Sequence, residues 1–334
     1  MSYNLPSAPR TVIILSAALA GASLFLTACS SSRHAPEELY FLVGSNTKLP
    51  YWQEAAKGLD AGAANMGVQA QFVGPEAYNP KEQLEAFRRA VSKKPTGIMI
   101  SASDKTLLND DINSALAAGI PVITMDSDAP ASHRLFFIGT NNYHAGVMGG
   151  RLLVEKLGRK GNVVVFTIPA QENLTERLKG YQDAIANTDI KIVQTIDDRG
   201  DPTVAFDKTT EMMEKKEKVD AFVCMDSTAG SEVAEALSRK EIKGKIIIAM
   251  DSNEGTLGWI EKGMIAATIG QKPYTMAFYG LHLLDDLYHH KPKTLDGNWA
   301  QNLEAPIPAA VDTGSTMIDQ SNLSLIRKPS SGSK

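Results

Sequence analysis

Cysteine is nearly missing from this chain. Cys29 and Cys224 are the only two in 334 residues, so a disulfide scaffold is excluded and stability has to come from core burial, which a chain of this length supplies. Cys224 lies in the apolar run Ala221-Phe222-Val223-Cys224-Met225 and reads as a buried strand residue, not a reactive thiol. An excess of one charge is missing too. Lys and Arg number 34 against 38 Asp and Glu, a net charge of −4, and no long basic block occurs, which argues against a nucleic-acid partner. After residue 30 no stretch stays apolar for the roughly 18 residues that a membrane-spanning helix needs.

The motifs of most enzymes are missing as well. His34, His133, His144, His282, His289 and His290 form no HExxH or comparable ligand spacing, and no GxSxG, P-loop or GxGxxG occurs in the right context. His289-His290 falls at a predicted helix end, where the helix dipole favours cations, and reads as surface. Asp126 and Asp128 lack the dense oxygen-ligand loop of a calcium site. Two carboxylates across a cleft can serve a glycosidase, but that chemistry needs one raised pKa and a set separation, neither of which sequence displays. The expectation is no catalysis, no cofactor and no metal.

What is present begins at the N-terminus. Arg10 precedes an uncharged run from Thr11 to Ala28 rich in Ile, Leu and Ala, the layout of an export signal. It ends in Leu26-Thr27-Ala28-Cys29, which resembles a bacterial lipobox. That resemblance implies lipidation at Cys29 and cleavage before it; the alternative is an uncleaved membrane anchor. Residues 1–28 are therefore expected to be a signal peptide and residues 29–37 a lipidated tether. The protein would be exported and held on a periplasmic or outer cell-membrane face by several acyl chains together.

From residue 39 short apolar runs alternate with segments of helical period. Strands are predicted at 39–44, 68–73, 97–101, 121–125, 162–167, 190–196, 221–225, 245–250 and 266–269. Helices are predicted at 50–66, 80–91, 105–118, 141–157, 174–185, 204–214, 231–239, 254–262 and 274–288. Strands separated by helices give right-handed βαβ units, and so many strands divide more naturally into two doubly wound parallel sheets than one. The expected fold is α/β, two such lobes with a ligand cleft between them, because open sheets bind ligands beyond their strand carboxyl ends.

The strand ends carry a coherent set. Tyr51 and Trp52 follow the first strand; Asp126 follows Pro121–Met125; Asn173 and Arg177 follow Asn162–Thr167. Asp226, Asp251 and Gln271 close the last three. A sugar needs this mixture, since its hydroxyls both donate and accept while its C–H faces pack on aromatic rings. Asp126, Asp226 and Asp251 can alternatively be helix N-caps, Trp52 can be core, and Arg177 can pair with Glu176 or Asp183.

The segments Lys48-Leu49-Pro50-Tyr51-Trp52, Ile120 to Asp126, Glu176-Arg177-Leu178-Lys179-Gly180-Tyr181, Ala221 to Asp226, Ile248 to Asp251 and Ala267 to Pro273 together resemble the periplasmic sugar-binding proteins of the ribose-binding type. The resemblance spans residues 39–318 and implies three crossings between lobes, near Thr140, near Gly270 and near 299–306. The implied N-terminal lobe is 38–140 plus 271–300, the C-terminal lobe 141–270 plus 301–322, with 323–334 a flexible tail. It also implies stacking aromatics at Tyr51 and Trp52, and hydroxyl-binding groups at Asp126, Arg177, Asp226, Asp251 and Gln271. Leu49, Ser127 and Asp226 stand where ribose binders have Asn, Arg and Asn, which points away from ribose toward another sugar, a polyol or an amino-bearing ligand. The implied role is a monomeric solute-binding protein that closes on a monosaccharide and docks on an ABC permease. A receptor for a sensor kinase or chemoreceptor, or a binder of a nucleoside, is the alternative.

Overall fold

The computed structural model describes residues 34–290 and 306–327; Cys29, the export signal and most of the tether lie outside the described residues. The first lobe is built from β1 (Leu39–Val43), α1 (Pro50–Met66), β2 (Gln69–Val73), α2 (Pro80–Ser92), β3 (Gly97–Ile100), α3 (Asn109–Ala117), β4 (Val122–Met125) and β5 (Phe137–Gly139). The chain then crosses to α4 (Asn142–Leu157), β6 (Lys160–Thr167), α5 (Glu172–Ile185), β7 (Asp189–Asp197), α6 (Pro202–Glu214), β8 (Ala221–Cys224), α7 (Ala229–Arg239), β9 (Ile246–Met250), α8 (Glu254–Glu261) and β10 (Ala267–Gly270). It returns through α9 (Pro273–His289) and ends in β11 (Ala310–Asp312), β12 (Thr316–Ile318) and α10 (Leu323–Ile326).

Two six-stranded sheets result, β2-β1-β3-β4-β5-β11 and β7-β6-β8-β9-β10-β12. They repeat one topology, differing in that β11 runs parallel to its neighbour and β12 antiparallel. The central strands β3, β4 and β8 are buried at every position, as expected of parallel strands with helices on both faces. Local signals set the helix limits. Pro50 opens α1, and Gly67 closes it in the left-handed conformation with its N–H on Ala63 O.

The crossing expected near 299–306 lies, residue 306 apart, outside the described residues; between β11 and β12 the chain passes from the first sheet to the second. Ala310, Val311 and Asp312, expected in the second lobe, pair in register with Phe137, Ile138 and Gly139 and so complete the first sheet. The cause is the bare edge of β5, whose three residues are too few to display any sequence period, and which β11 covers.

Close packing of α4 on α5 seats the element that carries Arg177. A Cβ on Gly146 would stand 2.0 Å from Arg177 O, and one on Gly180 2.2 Å from Tyr143 O; these helices touch backbone to backbone and no side chain fits between them. Gly146→Ala is therefore expected to cost about 1–3 kcal/mol by overpacking. Gly119→Ala, a left-handed turn with nothing within 4 Å of the added carbon, should cost about 1 kcal/mol by backbone strain alone. Urea unfolding of both variants compares the two costs, and only the first should also displace Arg177.

Candidate functional site

The carboxyl ends of both sheets face one hollow, and Tyr51, Trp52, Asp126, Arg177, Asp226, Asp251 and Gln271 all line it. It encloses about 540 Å³ of atom-free space, the open solvent at its mouth included. The lobes meet around it. Lys105 N–H donates to Ala170 O at 3.0 Å, Lys105 Nζ lies 3.0 Å from Glu172 Oε2, and Tyr78 packs against the second lobe's core.

Two carboxylates hold equivalent places. Asp126 follows β4 and Asp251 follows β9, the fourth strand of each sheet in chain order. Each donates its N–H to the neighbouring strand, Asp126 to Ile138 O at 3.0 Å and Asp251 to Ile269 O at 2.9 Å. Both are 7% exposed, and both are left-handed, with φ of 69° and 67°. For a residue other than glycine that conformation costs about 1–2 kcal/mol. Neither caps a helix; α8 is capped by Asn253, which accepts from Thr256 N–H.

Their side chains are held by neighbours. Tyr51 Oη donates to Asp126 Oδ1 at 2.6 Å and Ser101 Oγ to Oδ2 at 3.0 Å; Gln271 Nε2 donates to Asp251 Oδ1 at 3.0 Å. Arg177 is 1% exposed and donates to Met225 O and, at 2.6 Å, to Asn142 Oδ1. Its Nε is buried with no acceptor. Among the described residues it makes no surface pair with Glu176 or Asp183, and Asp183 instead accepts the Tyr143 hydroxyl at 3.0 Å.

Two expected residues behave differently. Trp52 is 2% exposed and stacks on Phe72 at 6.3 Å, so its ring face belongs to the first core and it offers the hollow little surface. The apolar face of α1 that buries Ala55 and Leu59 buries Trp52 too. Asp226 Oδ1 accepts from Thr228 N–H, Thr228 Oγ1 and Ala229 N–H at 2.6, 2.6 and 3.0 Å, closing the turn that leads into α7, whose N-cap position is Thr228. Asp128 is spent on Arg134, 2.6 Å away, and is not poised for calcium.

The sequence reading missed Ser101, Asn142, Tyr78 and Asp198. Ser101 and Asp198 directly follow β3 and β7, so the same strand-end rule finds both. Asn142 opens α4 and Tyr78 lies in the loop before α2, where neither period nor strand end marks them.

A family model for the periplasmic binding protein domain matches residues 40–292. The chain belongs to this family. A sugar-binding protein of a sugar ABC transporter from Bacillus halodurans is 32% identical over 86% of this chain and 99% of its own, with a TM-score of 0.73. An arabinose-binding protein from Geobacillus stearothermophilus is 30% identical over 88% of this chain and 100% of its own, at 0.72. The D-allose-binding periplasmic protein of Escherichia coli is 24% identical over 77% of this chain and 86% of its own length. Among the described residues no helix is long and apolar enough to cross a membrane.

In this periplasmic binding protein the second lobe hides a proton. Asp198 is fully buried; its Oδ1 accepts from Gly200 N–H at 2.9 Å. Its Oδ2 and Asp226 Oδ2 are both buried without a donor. Burial, then the charge of Asp226 and a hydrogen bond to it, push the Asp198 carboxyl up to about 10. Near neutrality Asp198 therefore carries a proton and donates it to Asp226. Burial likewise pushes Asp251 up to about 7, against the opposing pull of Gln271 and Arg177.

A carboxyl with a raised folded pKa contributes stability that is complete below its unfolded value, 3.8 here, and that fades as pH rises through the folded value. The free protein should thus lose stability from about pH 4 upward, through 7 for Asp251 and toward 10 for Asp198. Asp198→Asn keeps an acceptor for Gly200 and supplies a permanent donor to Asp226. Chemical denaturation should find this variant level with wild type near pH 4 and about 1–3 kcal/mol more stable near pH 8. A difference independent of pH would contradict the shared proton.

Proposed function

We propose that this protein is the extracytoplasmic solute-binding component of an ABC importer, that it binds a monosaccharide by lobe closure, and that it catalyses no reaction. The observation that carries this reading is the buried set Asp126, Arg177 and Asp251. One carboxylate comes from the first lobe, while the guanidinium and the other carboxylate come from the second. A ligand contacting all three binds the closed arrangement better than any open one, and that difference in affinity is what drives closure. The sugar specificities in the relatives' names, arabinose and allose among them, support a pentose or hexose as guest. Tyr51, Asp126, Arg177, Asp226, Asp251 and Gln271 are proposed as hydroxyl partners, and Trp52 as a wall behind Tyr51.

The same reading makes the protein a monomer tethered through lipidated Cys29, which presents its closed lobes to a membrane permease. Among the described residues the lobes are proposed as 38–140 with 271–290 and 306–312, and 141–270 with 313–327, following the sheet memberships. Burial raises Asp251, one requirement of a glycosidase pair, but the relatives are binding proteins by name, and the two aspartates are proposed to hold the ligand and not to cleave it.

A thermal-shift screen over pentoses, hexoses, deoxy sugars, polyols and nucleosides is expected to single out one sugar or a few related ones that raise Tm without being consumed. Asp251→Ala should abolish the response, or weaken affinity roughly 10- to 150-fold, the loss expected for a charged hydrogen bond of about 1.5–3 kcal/mol. Product formation from sugars or glycosides would overturn the reading, and an unchanged response in Asp251→Ala would move the pocket elsewhere. Cys29→Ala should shift the protein from the membrane to the soluble fraction.

A further inference from the structure

Away from the cleft, four side chains converge where the tether enters the first lobe. His34 Nδ1 lies 3.0 Å from Glu38 Oε2 and 3.4 Å from Asp285 Oδ1. His289 Nε2 lies 3.1 Å from Glu38 Oε2 and 3.6 Å from Asp285 Oδ1. One ligand atom from each of the four residues lies within 4.8 Å of all the others. The sequence reading placed His289 and His290 on the surface together. His290 pairs with Asp286 at 2.9 Å, whereas His289 turns toward Glu38, 251 positions away in the chain. That separation is why no ligand spacing was visible.

We propose that His34, Glu38, Asp285 and His289 form a zinc site that staples the tether and the start of β1 to the end of α9. Two imidazole nitrogens and two carboxylate oxygens are a borderline donor set suited to zinc and unlike the all-oxygen cages of calcium or magnesium. The spacing fits as well. A tetrahedral ion with bonds of about 2.0–2.1 Å needs donors about 3.3–3.4 Å apart, and the four nitrogen–oxygen separations fall on either side of that value. Glu38 and Asp285 have side chains 6% and 13% exposed, so two carboxylates of like charge are drawn together out of water, and a divalent cation neutralises both.

Outer contacts already orient the carboxylate ligands. Tyr40 Oη donates to Asp285 Oδ1 at 2.7 Å, and Ala35 N–H donates to Glu38 Oε1 at 2.8 Å, leaving Oε2 for the ion. Such supporting bonds accompany metal ligands generally. Asp285 and His289 are four apart on α9, hence on one helix face. His34 stands five residues after Cys29, so the ion would fix where the lipid-bearing segment leaves the folded body.

The test uses the full mature chain, in detergent and without a polyhistidine tag. After chelator treatment and dialysis, one equivalent of zinc should be retained through desalting and should raise Tm, and cobalt(II) in its place should show the strong visible absorption of a tetrahedral ion. His289→Ala and Asp285→Asn should each lower zinc affinity at least tenfold, His290→Ala should not, and none of the three should alter the response to sugar. If the wild type retains no zinc, or His289→Ala retains as much as wild type, the cluster is a hydrogen-bonded imidazole–carboxylate network and the proposal fails.

Discussion

A guanidinium buried against the floor of the cleft governs its architecture. Arg177 is among the largest fully buried side chains of the molecule, and an isolated charge so placed costs several kcal/mol. Burial depresses its pKa, and the negative charges of Asp251 and Asp126 oppose that depression. The cation therefore requires carboxylates from both lobes, and they in turn must stand at strand ends aimed inward. The left-handed backbone at both aspartates is the local cost of that aim. The glycine-lined approach of α4 to α5 is a second consequence, because Arg177 reaches Asn142 and Met225 only if its helix lies flush against α4.

The equivalence of Asp126 and Asp251 follows from the repeated sheet order. One topology used twice places the fourth strand of each sheet, and whatever follows it, at matching positions across the cleft. The repeat is broken where asymmetry is useful. Arg177 and the Asp198–Asp226 pair belong to the second lobe alone, whereas Tyr51 and Ser101, both donors to Asp126, belong to the first. Cation and shared proton thus sit on one side, and neutral hydroxyl donors on the other.

Much of this was legible in the sequence, for a physical reason. Strands buried on both faces are short apolar runs, and helices packed on one face keep a 3.6-residue period, so the alternation over residues 39–289 reads almost directly. The strand-end rule then brought Asp126, Arg177, Asp251 and Gln271 to one hollow without coordinates. What escaped was whatever lacks a period or depends on contacts distant in sequence. β5, β11 and β12 have three residues each, and their pairing is set by open sheet edges. The burial of the Trp52 face depends on Phe72, and the turn of His289 on Glu38; neither partner lies nearby in the chain. Ser101 and Asp198 are the exceptions, residues just past strand ends that a fuller use of the same rule finds.

The balance of donors and acceptors in the cleft narrows the guest further. Gln271 Oε1 is a buried acceptor and Arg177 Nε a buried donor, both without protein partners, and the carboxylates of Asp126 and Asp251 retain further accepting capacity. Acceptors therefore outnumber donors, and the best complement is a molecule whose hydroxyl or amine hydrogens point outward all round. A sugar acid or sugar phosphate would add negative charge beside two carboxylates and find one cation already shared between them. On the proposed reading of the site, like charge disfavours anionic sugars, and the free acceptors favour the most hydroxylated neutral ones.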